Sequence, residues 1–167
     1  PPPSPRPPSP PPSSAEPAGG GCSCPATCTP GEPLQDDAAL REILDDPERD
    51  PAEFCCLDTS KVTNIDEIFD HRRFYSYGYS SYGYDDEAYQ PDLFDGKLCW
   101  DTSKVTSMVK TFLHQELFNQ PLAWDTSSVT NMGYMFYDAK AFNQELVWDT
   151  SAVTNMELTF NYAEAFN

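Results

Sequence analysis

Basic residues are scarce in this chain. Lysine and arginine number 10 against 27 aspartates and glutamates, giving a formal net charge of -17. That balance argues against nucleic acid, whose phosphates need lysine and arginine to displace counterions. It argues equally against an anionic membrane surface. Histidine occurs only twice, and neither G-x-S-x-G nor H-E-x-x-H appears. The chain is therefore expected not to be an enzyme and to carry no cofactor and no metal. No apolar run approaches the ~20 residues of a membrane span. No Asn-x-Ser/Thr sequon occurs within these residues, so N-linked glycans are not expected. The first residue is Pro1 and no signal peptide is seen, which is the pattern of a mature or fragmentary chain.

Proline, by contrast, is plentiful but crowded. Ten of the 17 prolines fall within the first 17 residues, where Pro1 to Ala18 reads PPPSPRPPSPPPSSAEPA. Proline fixes φ and removes the backbone donor, so polyproline II is expected and helix and sheet are excluded. Ser/Pro composition is that of O-glycosylated stalks, with Pro2, Pro3, Ser4, Pro8, Ser9, Pro11, Pro12 and Ser13 as candidate sites. The S-P-P-P-S pattern resembles the hydroxyproline-rich glycoproteins of green-algal and plant walls. That resemblance implies hydroxylated prolines carrying O-linked glycans.

Residues 1–21 thus form an arm ending in the Gly19-Gly20-Gly21 hinge, and residues 22–56 a cysteine-rich loop followed by a cap. Six cysteines, Cys22, Cys24, Cys28, Cys55, Cys56 and Cys99, point to disulfides and an oxidising compartment. Zinc is disfavoured, because paired C-x-x-C spacing is lacking. From Pro33 to Asp45 the pattern predicts an amphipathic helix with Leu40, Ile43 and Leu44 on one face. Such a helix suits the covering of an open repeat end.

The rest, residues 57–167, repeats. Trp100-Asp101-Thr102-Ser103 recurs at Trp124 and again at Trp148, each time 24 residues on. An earlier copy opens at Leu57-Asp58-Thr59-Ser60, 43 residues before Trp100, so its unit holds 19 extra residues. With positions counted from the Trp, position 13 is Phe69, Phe112, Phe136 and Phe160. Position 19 is Phe94, Phe118, Phe142 and Phe166. A fixed period of this size predicts four stacked units sharing one core. Apolar residues at positions 9, 13 and 16 are helix-spaced, and Thr-Ser-x-Val-Thr is β-prone. The expected fold class is an α/β solenoid, leucine-rich-repeat-like, with short parallel strands on one side and short helices on the other.

The phrases W-D-T-S-S-V-T-N-M-G-Y-M-F and A-F-N-Q-E-L resemble the BspA-like bacterial surface-protein repeat, a relative of leucine-rich repeats also found in mycoplasma lipoproteins. The resemblance covers Leu57 to Asn167 and implies an extracellular surface or adhesion role without catalytic residues. Departures are Leu57 for Trp, Gln115 where Ala139 stands later, and the insertion.

Register places Cys56 and Cys99 at the same position of successive units, within the ~4.4–6.8 Å between Cα atoms that a disulfide needs. Cys56–Cys99 is the expected bond, with Cys55–Cys99 the competitor. Cys55 would then reach back to Cys22, Cys24 or Cys28. Asp58, Asp101, Asp125 and Asp149 are expected to close Asx-turns, with calcium the sharper alternative. Asn119, Asn143 and Asn167 are expected to form an internal amide ladder, and the threonine rows to order water or accept sugar.

The insertion, at 71–92, holds Tyr75, Tyr77, Tyr79, Tyr82 and Tyr84, a composition favoured at binding surfaces. These residues, with Phe160 and Phe166 of the last unit, are the candidate interface. The expected function is a structural subunit of an extracellular fibril, wall or surface appendage. It assembles head-to-tail with itself through the solenoid ends and bears O-glycans on its arm. An adhesion module binding wall glycans or surface proteins on its sheet face is the alternative.

Overall fold

The computed structural model describes residues 33–46, 51–69 and 94–167. The proline arm, Cys22, Cys24, Cys28 and the tyrosine-rich insertion lie outside the described residues. The element α1 (Asp37–Leu44) comes first, followed by a short 3-10 helix (Pro51–Cys56) and then the repeats. The Asp36 carboxylate caps α1 by accepting from the Ala39 amide at 2.9 Å, so the helix starts after Asp36 and not at Pro33.

Equivalent residues of successive units lie above one another. Along position 13, ring centroids of Phe69, Phe112, Phe136 and Phe160 are 5.4, 5.3 and 5.4 Å apart. Along position 19, Phe94, Phe118, Phe142 and Phe166 follow at 6.0, 6.0 and 5.9 Å. Trp100 and Trp124 stack at 6.1 Å and 5°. Trp148 packs on Phe136 as Trp124 packs on Phe112. Each such ring pair adds about 0.5–1.5 kcal/mol beyond the apolar area it buries.

The expected α/β solenoid of parallel strands and short helices does not form. Among the described residues no strand exceeds an isolated bridge, and the only α-helix is α1, outside the repeats. Parallel bridging is confined to position 8, in the series Asn64, Ser107, Asn131, Asn155. The segment read as a strand is a turn instead. Val62, Val105, Val129 and Val153 donate their amides to the threonine carbonyl three residues back.

Where helices were expected, positions 11 and 15 forbid them. Glu67, Lys110, Tyr134 and Leu158 at position 11, and His114, Asp138 and Tyr162 at position 15, have φ between 51° and 59°. A right-handed helix tolerates none of these, and each costs a non-glycine residue roughly 1–2 kcal/mol. The chain runs through consecutive i→i+3 turns, which bring positions 9, 13 and 16 to one side just as a helix would.

Cross-unit hydrogen bonds offset that strain. In the third unit, amides at even positions of the repeat close turns within the unit, as Tyr137 N–H at position 14 does to Tyr134 O at 3.1 Å. Amides at odd positions reach the next unit: Met132 to Asn155 O at 2.9 Å, Tyr134 to Glu157 O at 2.8 Å, Phe136 to Thr159 O at 2.8 Å and Asp138 to Asn161 O at 2.8 Å. Buried threonines at position 3 add a third link, with the Thr59, Thr102 and Thr126 hydroxyls donating to Asp101, Asp125 and Asp149 carbonyls.

The cap imitates a missing unit with side chains. Leu34, Leu40 and Leu44 are buried against the first unit. The Asp37 carboxylate accepts from the Thr63 and Asn64 amides at 2.6 and 3.1 Å. Elsewhere the Thr amide meets the carbonyl of the preceding unit's threonine. Arg41 donates to Asp66 O at 2.8 Å and Asn64 Oδ1 at 3.0 Å. The first unit's edge is thereby closed.

Candidate interaction surface

Turn geometry decides which side chains face outward. Positions 11 and 15 and, in the third unit, Tyr137 at position 14 sit on the corners of the turn series, whereas Leu113, at position 14 of the second unit, is buried. In the third and fourth units these corners carry Tyr134, Tyr137, Leu158 and Tyr162, and in the second His114. The Tyr137 ring meets Tyr162 edge-on at 5.4 Å and 82°, and His114 at 5.7 Å and 85°. Tyr134 lies 5.8 Å from Tyr137. Tyr162 is 62% and Leu158 43% exposed, which makes this an outward aromatic surface and not a core edge.

A polar rim surrounds it. The Tyr134 hydroxyl donates to Glu157 Oε1 at 3.2 Å, and desolvation followed by the nearby Glu157 carboxylate pushes the phenol's pKa up. His114 Nδ1 is 3.0 Å from Asp138 Oδ2. Lys140 bonds Glu116 at 2.7 Å, which raises the pKa of its ammonium, and lies 3.8 Å from Asp138. The column runs Glu67 to Lys110 in the same way, at 2.8 Å.

On the opposite side the aspartates behave as expected. Asp58, Asp101, Asp125 and Asp149 accept from the serine amides two residues on, at 2.9–3.0 Å. Bonds from the Ser60, Ser127 and Ser151 hydroxyls, then from their amides, hold Asp58, Asp125 and Asp149 below the usual carboxylate range. Asp125, Glu145 and Asp149 line a shallow depression beside Trp124. Among the described residues no group of three or more His, Cys, Asp or Glu side chains is placed to hold a metal.

The asparagine ladder also forms, but on the outside. The Asn143 amide donates to Asn119 Oδ1 at 2.9 Å, and the Asn119 amide to Asp95 Oδ1 at 3.0 Å, with both asparagines exposed. The threonine hydroxyls of position 7 donate to the preceding threonine carbonyl, as Thr154 does to Thr130 at 3.0 Å.

Cys55, Cys56 and Cys99 are each disulfide-bonded. Cys55 Sγ and Cys99 Sγ lie 3.3 Å apart, a contact too long for a bond between them. Phe160 and Phe166 sit half-buried in the fourth unit, 4.1 Å apart and stacked. The remaining interface and glycosylation candidates fall outside the described residues.

Gln115 matters more than its sequence signal suggested. It stands at position 16, where later units have Ala139 and Ala163, and it is 1% exposed. Its Nε2 donates to Phe69 O at 2.6 Å and its Oε1 accepts from Phe94 N–H at 3.1 Å. In the third unit the peptide of Ala139 makes both bonds, donating to Phe136 O and accepting from Phe142 N–H. The Gln115 carboxamide thus stands in for that peptide and ties together the two points where the insertion leaves and rejoins the first unit.

Residues 86–167 match the family described as "Mycoplasma protein of unknown function, DUF285". Neither curated proteins nor solved structures show a match to the chain. Over its last three repeats the chain is therefore similar to that family, which is compatible with the BspA-like repeat read from its residues.

Proposed function

We propose that the chain is an extracellular, non-catalytic recognition module: a rigid stack of units that presents outward side-chain columns to a partner at a cell surface or wall. The observation that supports it is the Tyr134–Tyr137–Tyr162 surface with its His114, Glu157 and Asp138 rim. Large rings with few rotatable bonds, each bearing a hydroxyl, supply contact area at low entropic cost. The surface lies on the turn corners and not on a sheet. Cystines at Cys55, Cys56 and Cys99 favour an oxidising location.

The fibril-subunit reading concerns the outer face of the fourth unit, which a further unit of the same or another chain would cover. Met156 is 45% exposed and Phe160 half-buried, whereas Met132 and Phe136 are at 0%. Among the described residues the Met156, Leu158, Phe160 and Tyr162 amides have no acceptor. This face fits one more unit of the same pattern. Because α1 closes the first unit, a second copy does not offer a bare first unit to it, so head-to-tail stacking of unit on unit is the weaker reading.

The test compares the full chain with its Tyr137→Ala and Tyr162→Ala variants on an array of oligosaccharides, wall polymers and extracellular peptides. At least one ligand class retained by the parent and lost by both variants is expected. Identical profiles for all three proteins would remove the recognition reading.

A further inference from the structure

We infer that Cys55 and Cys99 form a thiol–disulfide exchange centre. When a dithiol reductant opens the cystine at Cys99, the released thiolate takes Cys55 from its present partner, and the two close a new bond. This inference stands apart from the recognition surface. Cys55, Cys56 and Cys99 are each disulfide-bonded. Cys55 Sγ and Cys99 Sγ lie 3.3 Å apart, so each is bonded to another cysteine while touching the other. Attack of a thiolate on a disulfide sulfur is the elementary step of exchange. Holding both atoms in contact replaces a bimolecular encounter with an intramolecular one.

The contact is held by groups other than sulfur. Trp100, next to Cys99, donates its indole N–H to the carbonyl of Phe54, next to Cys55, at 2.8 Å. Both side chains are buried. The Thr59 hydroxyl donates to Asp101 O at 3.0 Å, and the Phe54 ring lies 6.0 Å from that of Phe94. These links join the segments on either side of the two sulfurs. Opening a cystine breaks none of them.

Exposure sets the order of events. Cys55 is buried at 4% exposure, whereas Cys99 is half-buried, so a reductant in solution reaches the Cys99 cystine first. One thiolate of the dithiol attacks the sulfur bonded to Cys99, and Cys99 leaves as a thiolate. The second thiolate then attacks the first sulfur of the dithiol, which departs oxidised as a cyclic disulfide and releases that partner as a thiol. Cys99 attacks Cys55 Sγ, the bond from Cys55 to its partner breaks, and that partner leaves as a thiolate and takes up a proton. The chain has gained two electrons and two protons, and both thiols sit on the former partners. The new bond joins residues 44 apart and encloses the remainder of the first unit together with its insertion. The stack therefore stays stapled at its first unit while its other attachments through these two sulfurs are released.

The full chain is treated with dithiothreitol, raised until one cystine per chain has opened, then quenched with N-ethylmaleimide, digested and sequenced by fragmentation mass spectrometry. Fragmentation between Cys55 and Cys56 assigns the sulfur. A Cys55–Cys99 bond absent from the untreated chain is expected, exceeding chains alkylated at Cys99 by about tenfold or more. Trp100→Phe, which removes the indole bond to Phe54, should lower that ratio several-fold, with a thermal melt confirming that the variant is folded. Alkylation of Cys99 with the Cys55 cystine intact would overturn the proposal. So would a Cys56–Cys99 bond formed in its place, or a Cys55–Cys99 bond already present before treatment. A folded Trp100→Phe chain that exchanges as fully as the parent would overturn the assignment of the indole as the clamp.

Discussion

Replacing Gln115 by alanine removes two hydrogen bonds and leaves the space that the side chain filled. Phe69 O and Phe94 N–H then lose their partner inside a site where Gln115 is 1% exposed. Leaving a buried polar group unsatisfied costs about 1–3 kcal/mol, so the pair amounts to roughly 2–6 kcal/mol before any cavity cost. Gln115→Glu is diagnostic, because a carboxylate still accepts from the Phe94 amide but cannot donate to the Phe69 carbonyl unless protonated. Urea unfolding of the full chain, followed by tryptophan fluorescence, gives the free energies. Alanine should lower stability by several kcal/mol, and the glutamate variant should recover stability as pH falls and the side chain gains a proton. An alanine variant within about 0.5 kcal/mol of the parent would refute the idea that this carboxamide replaces a peptide unit.

Trp100→Phe should cost about 1–2 kcal/mol more than Trp124→Phe in the same assay. The Trp100 indole donates to Phe54 O at 2.8 Å, while the Trp124 Nε1 is buried with no partner among the described residues. The reverse order would contradict the stacking described. Leu158→Asn should stabilise by about 0.5–1 kcal/mol, because asparagine tolerates the left-handed conformation that Leu158 holds at φ 51°, and a clear loss would argue against that backbone. Asp58, Asp125 and Asp149 have folded pKa values below the ordinary 3.8, so their contribution to stability is present above that value and is lost as pH falls through the folded values. Thermal melts should therefore decline below about pH 4, and Ser127→Ala should shrink the decline. A melt unchanged between pH 5 and pH 3 would contradict this.

The stacking was legible because its signal is long-range identity. Phe69, Phe112, Phe136 and Phe160 recur in register, and so do the aspartates that close Asx-turns. Local conformation was not legible, because spacing of apolar residues at 9, 13 and 16 is common to a helix and to successive i→i+3 turns. Left-handed residues normally announce themselves as glycine or asparagine. Here they are Glu67, Lys110, Tyr134 and Leu158, of which the first three are held by amide bonds to the next unit and not by local preference. The left-handed backbone turns Tyr134 and Tyr162 outward, so an aromatic surface hid among columns that read as core. Gln115 showed only as a departure from alanine, and its partners lie 46 and 21 residues away.

Scalar couplings across hydrogen bonds, measured by NMR on isotopically labelled chain, distinguish the two backbones residue by residue. The Phe136 amide should couple to the Thr159 carbonyl and the Phe112 amide to the Met135 carbonyl, one unit further along. Couplings instead to Met132 and Met108, four residues back within the same unit, would mean that the repeats are helical and that the turn stack is wrong.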